Sequence, residues 1–381
     1  MALKFSKRRC AAFVAALAGL VLLSFTYRDQ LFQMSHDVIL GEQSRHGKDS
    51  ATVKFFEIIS PMTFDISYDV AILFLSPFMA RERFWYYMIS LQVAGGVKSN
   101  LKMLLAEPRP VMVWSDMSDL GCSTSFGSPS GHSTKSANLA FLVILDLFFA
   151  SAWSRRKYAD WNQWSAGVNK LAFGLIGLLC VSFWLTIVYD RILLGMHTLN
   201  QVVLGSQVGI WCALFTHFVL RDHVHRHISN LTSKTNELTK AKAIKYAAWG
   251  TFCVLGAILV TVAVGMAMAS AGRVEQEWLV NLQRTCKVEY EVDANGALIF
   301  DAGVLHRSTV AGYARTLGHL GLYLGQIMFC YTGAHHLSTG SYTAKTVYLY
   351  QLVFSVLLVC LWMLPTWLAD PFGKDGLALW Q

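Results

Sequence analysis

Lys102 and Arg109 stand seven residues apart, close to two turns of a helix, so both side chains can present from one face near that helix's end. Pro108 and Pro110 flank Arg109; they should stop the helix and stiffen the backbone that carries the guanidinium. A second polar cluster, Gly127-Ser-Pro-Ser-Gly-His132, reads as the start of another helix. There, Ser130 and the first backbone N–H groups meet the positive end of the helix dipole, and Gly131 lets a ligand approach closely. A third cluster runs from Asp190-Arg191 to His197 and Gln201, and Arg191 adds a planar fork of donors matched to phosphate oxygens. Three cations and a helix N-terminus describe a cradle for one phosphate dianion.

The two histidines have distinct tasks available in such a cradle. A histidine that attacks phosphorus in line must be neutral, whereas one on the leaving-group side must be protonated to deliver a proton. Lys102, Arg109 and Arg191 can neutralise the equatorial oxygens, so the chemistry calls for no metal and no cofactor.

The elements that position these clusters are membrane helices. Of 381 residues 54% are hydrophobic and 15% charged, and the mean hydropathy is +0.41, a balance foreign to soluble domains. A bilayer core about 30 Å thick needs roughly 20 apolar helical residues. Nine stretches qualify: Cys10–Tyr27, Met62–Ala80, Phe84–Leu105, Thr134–Trp153, Val168–Tyr189, His197–Leu220, Ala243–Ser270, Val310–Tyr331 and Val347–Leu368. The expected fold is an all-α polytopic transmembrane bundle. It divides into residues 1–53 (signal anchor or signal peptide plus a lumenal segment), a catalytic core over 54–222, and a carboxy-terminal transmembrane region over 223–381 with a lumenal loop at 271–309.

The net charge of +8 follows the positive-inside pattern rather than a nucleic-acid footprint. Arg81, Arg83, Arg155, Arg156, Lys157, Arg221, Arg226 and Lys240 fall in loops on one side, which is therefore cytoplasmic. All three polar clusters then face the other side. Of eight cysteines, Cys122 and Cys286 lie in loops on that oxidising side, and a disulfide between them is open to the chain. The alternation from Lys287 to Asp293 suggests a short strand or hairpin. His223, His225 and His227 read as part of a solvated cytoplasmic loop. Asp65, Asp69, His335 and His336 have no role that the pattern assigns.

The three clusters resemble the signature of the phosphatidic-acid-phosphatase type 2 (PAP2) superfamily, K-x6-R-P, P-S-G-H and S-R-x5-H-x3-D. The first two elements match fully; in the third, Asp190 replaces the usual Ser and Gln201 the usual Asp. The resemblance implies that His197 is the nucleophile and His132 the acid, that Lys102, Arg109, Ser130, Gly131 and Arg191 bind the phosphoryl group, and that Gln201 orients His197. The H-x3-Q variant, Gly127-Ser-Pro-Ser-Gly-His132, Gln201-Val-Val-Leu-Gly205 and the segment Trp278 to Gln283-Arg-Thr-Cys286 are similar to the glucose-6-phosphatase branch. That likeness covers roughly Lys54 to Leu368. It implies a phosphomonoester substrate, with glucose 6-phosphate the first choice, a site facing the lumen of the endoplasmic reticulum, a part in gluconeogenesis, contact with membrane lipids, and a transporter partner. Two alternatives share the signature: a lipid phosphate phosphatase and a catalytically silent membrane subunit.

Overall fold

The computed structural model describes residues 7–62, 65–118, 120, 122–149, 166–232, 238–269, 274–290, 292, 296, 298 and 302–332. Among the described residues twelve α-helices follow one another: α1 (Lys7–Arg45), α2 (Ala51–Met62), α3 (Asp65–Leu75), α4 (Arg81–Leu105), α5 (Pro110–Val113), α6 (Gly131–Phe148), α7 (Ala166–Leu193), α8 (Leu199–Phe215), α9 (Arg221–Leu231), α10 (Lys240–Ala269), α11 (Gln276–Cys286) and α12 (Ala302–Tyr331). A π-turn, Thr216–Leu220, joins α8 to α9.

Among the described residues four helical stretches are long and apolar enough to cross a membrane: Lys7–Arg45, Leu171–Leu193, Leu199–Leu231 and Lys240–Ala267. Helices α3, α4, α6 and α12 cover much of four further stretches expected to cross, and Val347–Leu368 lies outside the described residues. The apolar window of Leu199–Leu231 is 67% buried, against 6% for that of Leu171–Leu193, so α8 forms the axis of the bundle and α7 lies at its margin. Leu171, Leu175, Leu178 and Leu179 of α7 are exposed, as suits side chains that face lipid.

Small residues set the central packing. A Cβ on Gly205 would fall 2.7 Å from the Ser130 carbonyl oxygen, and one on Gly209 would fall 2.3 Å from that of Thr134. The spacing Gly205-x3-Gly209 therefore lets α8 press its backbone against the first turns of α6. Helix α4 completes the core through Ala94 and Leu101, which pack with Leu204, Val208 and Trp211.

Helix α1 departs from the expected short apolar segment. It continues through Arg28 and Asp29 to Arg45, 39 residues in all, or about 58 Å at 1.5 Å per residue. Its first half packs Phe13, Leu17 and Leu20 against the cluster around Trp211. Its second half runs on beside the polar clusters. The hairpin expected near Lys287–Asp293 amounts, among the described residues, to one antiparallel bridge between Val292 and Leu298. The histidine run belongs to α9: Arg221, His225 and Ile228 share a buried face at helical spacing, so this segment packs inward instead of forming a solvated loop.

Candidate active site

Three helix ends meet at one end of the bundle. Helix α4 stops at Ala106, whose φ of 47° is left-handed and whose N–H bonds to the Lys102 carbonyl at 3.1 Å. The turn throws Glu107-Pro-Arg109 across the bundle. Helix α6 begins at Ser130, whose hydroxyl caps the Ser133 N–H at 3.5 Å. Helix α8 begins at Thr198 with a capping box, in which the Gln201 side chain accepts from the Thr198 N–H at 3.3 Å. The α6 and α8 starts are tied together by the Ser130 N–H, which donates to the Gln201 carbonyl at 3.0 Å.

Arg109, only 5% exposed, is the hub. Its Nε donates to the Ser125 carbonyl at 2.7 Å, Nη2 to Ser125 Oγ at 2.9 Å, and Nη1 to the Met196 carbonyl at 2.9 Å and to His197 Nε2 at 3.3 Å. Lys102 Nζ donates to the Phe126 carbonyl at 2.8 Å, so both cations grip the segment that leads into Pro129-Ser-Gly-His132. Burial, then the nearby charge of Arg191, pushes the Arg109 guanidinium down to about 9.

The neighbours of Gln201 fix the tautomer of His197. Gln201 Nε2 donates to the Pro108 carbonyl at 2.7 Å, which leaves Oε1 to accept from His197 Nδ1 at 3.1 Å. The proton therefore resides on Nδ1, and Nε2 carries the lone pair. Gly127 must be glycine, because a Cβ there would stand 2.3 Å from the Gln201 amide. His197 is held well below the usual histidine range, first by burial and then by Arg109, Lys102 and Arg191, with the Gln201 bond pulling the other way. Nε2, which accepts from Arg109 Nη1, presents its lone pair, the form a nucleophile needs.

Arg191 is placed differently from its cradle role. Both Asp190 and Arg191 are fully buried, and the guanidinium turns to its own neighbour: Nε donates to Asp190 Oδ2 at 2.9 Å, and Nη2 reaches Asp190 Oδ2 and Ser60 Oγ. Nη1 points to the sulfur of Met196 at 2.9 Å. The Arg191 carbonyl accepts from the N–H groups of Met196 and His197, at 3.0 and 3.2 Å, which fixes the backbone that carries His197. The structure thus gathers Lys102, Arg109, His197 and Gln201 around the 122–127 segment, with Ser130, Gly131 and His132 at the adjoining helix start. It leaves the Arg191 fork committed to Asp190.

Sequence reasoning missed two contributors, Glu107 and Ser35, whereas the Cys122–Cys286 pairing it left open is present. Glu107, buried, accepts from Asn200 Nδ2 at 3.0 Å and lies 3.8 Å from Arg28 of α1, while its carbonyl accepts from the Gly127 N–H at 2.8 Å. Burial raises its carboxyl, opposed by Arg28 and by bonds from Ser128, Asn200 and Gln201. Ser35 Oγ of α1 accepts from the Leu199 N–H at 2.8 Å, and so caps from outside the helix that follows His197. The only advance signal was a Glu set between a helix end and Pro-Arg. A disulfide joins Cys122 to Cys286, with Cα atoms 5.6 Å apart. With Asn281 donating to the Met112 carbonyl at 2.8 Å, it fastens α11 over the segment that holds Arg109.

Residues 83–224 match the family model of the PAP2 superfamily, a span that contains every residue of the three clusters. PAP2 members are phosphatases, so the match supports a phosphoester hydrolase carried on membrane helices. Comparison with curated proteins and with solved structures gave no match.

Proposed function

We propose that this chain is a membrane phosphohydrolase of glucose-6-phosphatase type, which works through a phosphohistidine on His197 and takes a sugar phosphate on the lumenal side of the endoplasmic reticulum. The observation that carries the reading is the His197 ring itself. Its Nδ1–H is anchored on Gln201 and its Nε2 lone pair is aimed at the guanidinium that would hold a phosphoryl oxygen. Nε2 attacks phosphorus as the bond to the leaving oxygen breaks, and His132 gives that oxygen its proton. In the second half a water molecule attacks the phosphohistidine, His132 takes the water's proton, the P–N bond breaks, and inorganic phosphate leaves. Lys102, Arg109 and the first N–H groups of α6 stabilise the equatorial oxygens in both halves.

The sugar-phosphate reading rests on Gln201 in place of the usual carboxylate and on the polar segment at Ser123 and Ser125, which offers hydroxyls to a hydroxylated leaving group. The lumenal side is supported by the distribution of Lys and Arg and by the Cys122–Cys286 disulfide, which suits an oxidising compartment. A lumenal site for a sugar phosphate made in the cytosol would need a transporter partner. Purified protein assayed in one detergent on glucose 6-phosphate, phosphatidate and sphingosine phosphate tests the reading. The expected result is a higher kcat/KM on the sugar phosphate; a clear preference for either lipid would transfer the assignment to a lipid phosphate phosphatase, and no turnover on any of them to a silent subunit.

A further inference from the structure

We infer that Lys98 is a further phosphate-binding cation of this site, one that supplies the charge Asp190 withdraws from Arg191; the inference rests on the phosphatase reading above. Asp190 and Arg191 are both fully buried and bonded to each other, so as a pair they bring no net charge to a bound phosphate. Lys102 and Arg109 remain, two cations where the three-part cradle calls for three. Lys98 lies one turn before Lys102 on α4, on the same face.

Its stem crosses directly to the start of α6. A Cβ built on Gly131 would come within 3.1 Å of Lys98 Cδ and 3.5 Å of its Nζ. A Cβ at Gly131 would press on the lysine stem, which would have to give by a few tenths of an ångström. The ammonium is delivered to the first turn of α6, beside the N–H groups that have no intrahelical acceptor and next to His132. The register is reciprocal: Lys135, one turn further along α6 and 1% exposed, lies 3.8 Å from a Cβ on Gly95 of α4. Two lysines thus reach across the same helix pair, Lys98 toward the start of α6 and Lys135 back toward α4.

The test uses the full-length protein and four variants, K98M, K98R, D190S and K98M/D190S, each accepted only if it elutes as a single species of wild-type size. Two readouts are taken: kcat/KM on p-nitrophenyl phosphate, and the rise in Tm caused by inorganic phosphate. K98M should lose about 10- to 100-fold in kcat/KM, the range for a hydrogen bond to a charged group, and its Tm should respond less to phosphate, while K98R keeps most of both. Restoring serine at 190 should release Arg191, so K98M should cost several-fold less in the D190S background. K98M within twofold of wild type in both readouts would overturn the inference, as would equal losses in the two backgrounds. If K98M does not elute correctly, K98Q takes its place. A wild-type protein that turns over nothing yet gains Tm from phosphate would count against the phosphatase reading alone, because the Tm readout still decides Lys98.

Discussion

Replacing Gln201 separates orientation of the nucleophile from simple packing. Its side chain makes three bonds: it accepts from His197 Nδ1 at 3.1 Å and the Thr198 N–H at 3.3 Å, and it donates to the Pro108 carbonyl at 2.7 Å. Gln201→Leu keeps the approximate volume and removes all three. Each buried partner left without a bond costs about 1–3 kcal/mol, and most of this acts on folded and reacting states alike. The His197 bond differs, because phosphorylation at Nε2 makes the ring cationic and the Nδ1–H···Oε1 bond charge-assisted, roughly doubling its strength. The share felt only on the way to the phosphohistidine is that increment, about 1–1.5 kcal/mol, which corresponds to a fall in kcat of about 5- to 12-fold. Gln201→Glu keeps both acceptor contacts and places a carboxylate on Nδ1. His197 must be neutral to attack, and its environment now holds it well below the ordinary range, so the acid limb of the pH profile lies below that range. A carboxylate favours the imidazolium and raises that value, so the acid limb should move to higher pH. Steady-state kcat and kcat/KM from pH 4 to 9 on a soluble phosphomonoester check both. Wild-type kcat in Gln201→Leu, or an acid limb unmoved in Gln201→Glu, would refute the orienting role.

His197→Ala should abolish both turnover and covalent labelling by radioactive phosphate, whereas His132→Ala should retain turnover of p-nitrophenyl phosphate far better than of an alkyl phosphate, whose leaving group needs the proton; label retained at the wild-type level in His197→Ala would misplace the nucleophile. Activity should survive EDTA and be inhibited by vanadate, a trigonal-bipyramidal mimic, because cationic side chains hold the phosphoryl oxygens; a strict requirement for an added divalent ion would contradict this. Gly205→Ala and Gly209→Ala should each destabilise the fold by about 1–3 kcal/mol through overpacking, seen as a lower Tm, since the new Cβ meets backbone oxygens of α6 that have nowhere to move. Cys122→Ser or Cys286→Ser should cost about 2–4 kcal/mol of stability and loosen α11 from α5, which increased protease cutting near residues 274–290 would report.

The residues of the site were legible because the chemistry needs particular types at particular spacings, and a helix converts spacing into position. Lys102 and Arg109 flank one helix end, and His197 and Gln201 fall one turn apart at the start of another. Gly205-x3-Gly209, which the sequence analysis did not single out, marks which helix faces touch. What stayed hidden depends on contacts between elements distant in sequence. No local pattern reveals that Glu107 accepts from Asn200, or that Ser35 caps the helix of His197.

The Asp190–Arg191 pair shows how a local rule can mislead in the other direction. Neighbouring residues on a helix do not face each other, so the local pattern does not pair Asp190 with Arg191, and a carboxylate at that position opposes an anionic substrate unless it points away. Both side chains are instead folded into the protein among Ser60 and Met196, where the lone guanidinium would have been costly and the ion pair is tolerable. Helix α1 was cut short in the sequence reading for a similar reason. Hydropathy ends at Arg28 and Asp29, but helix propensity does not: Asp29–Arg45 contains no proline, and Ser24, Ser35 and Ile39 keep one buried face. Hydropathy measures what a bilayer accepts, whereas the length of α1 is set by what the site needs at its side. Arg28 meets Glu107, Ser35 meets Leu199, and Phe32 packs 4.9 Å from Trp114. The segment that looked like an appendage is a wall of the site, and its charged residues are there to reach it.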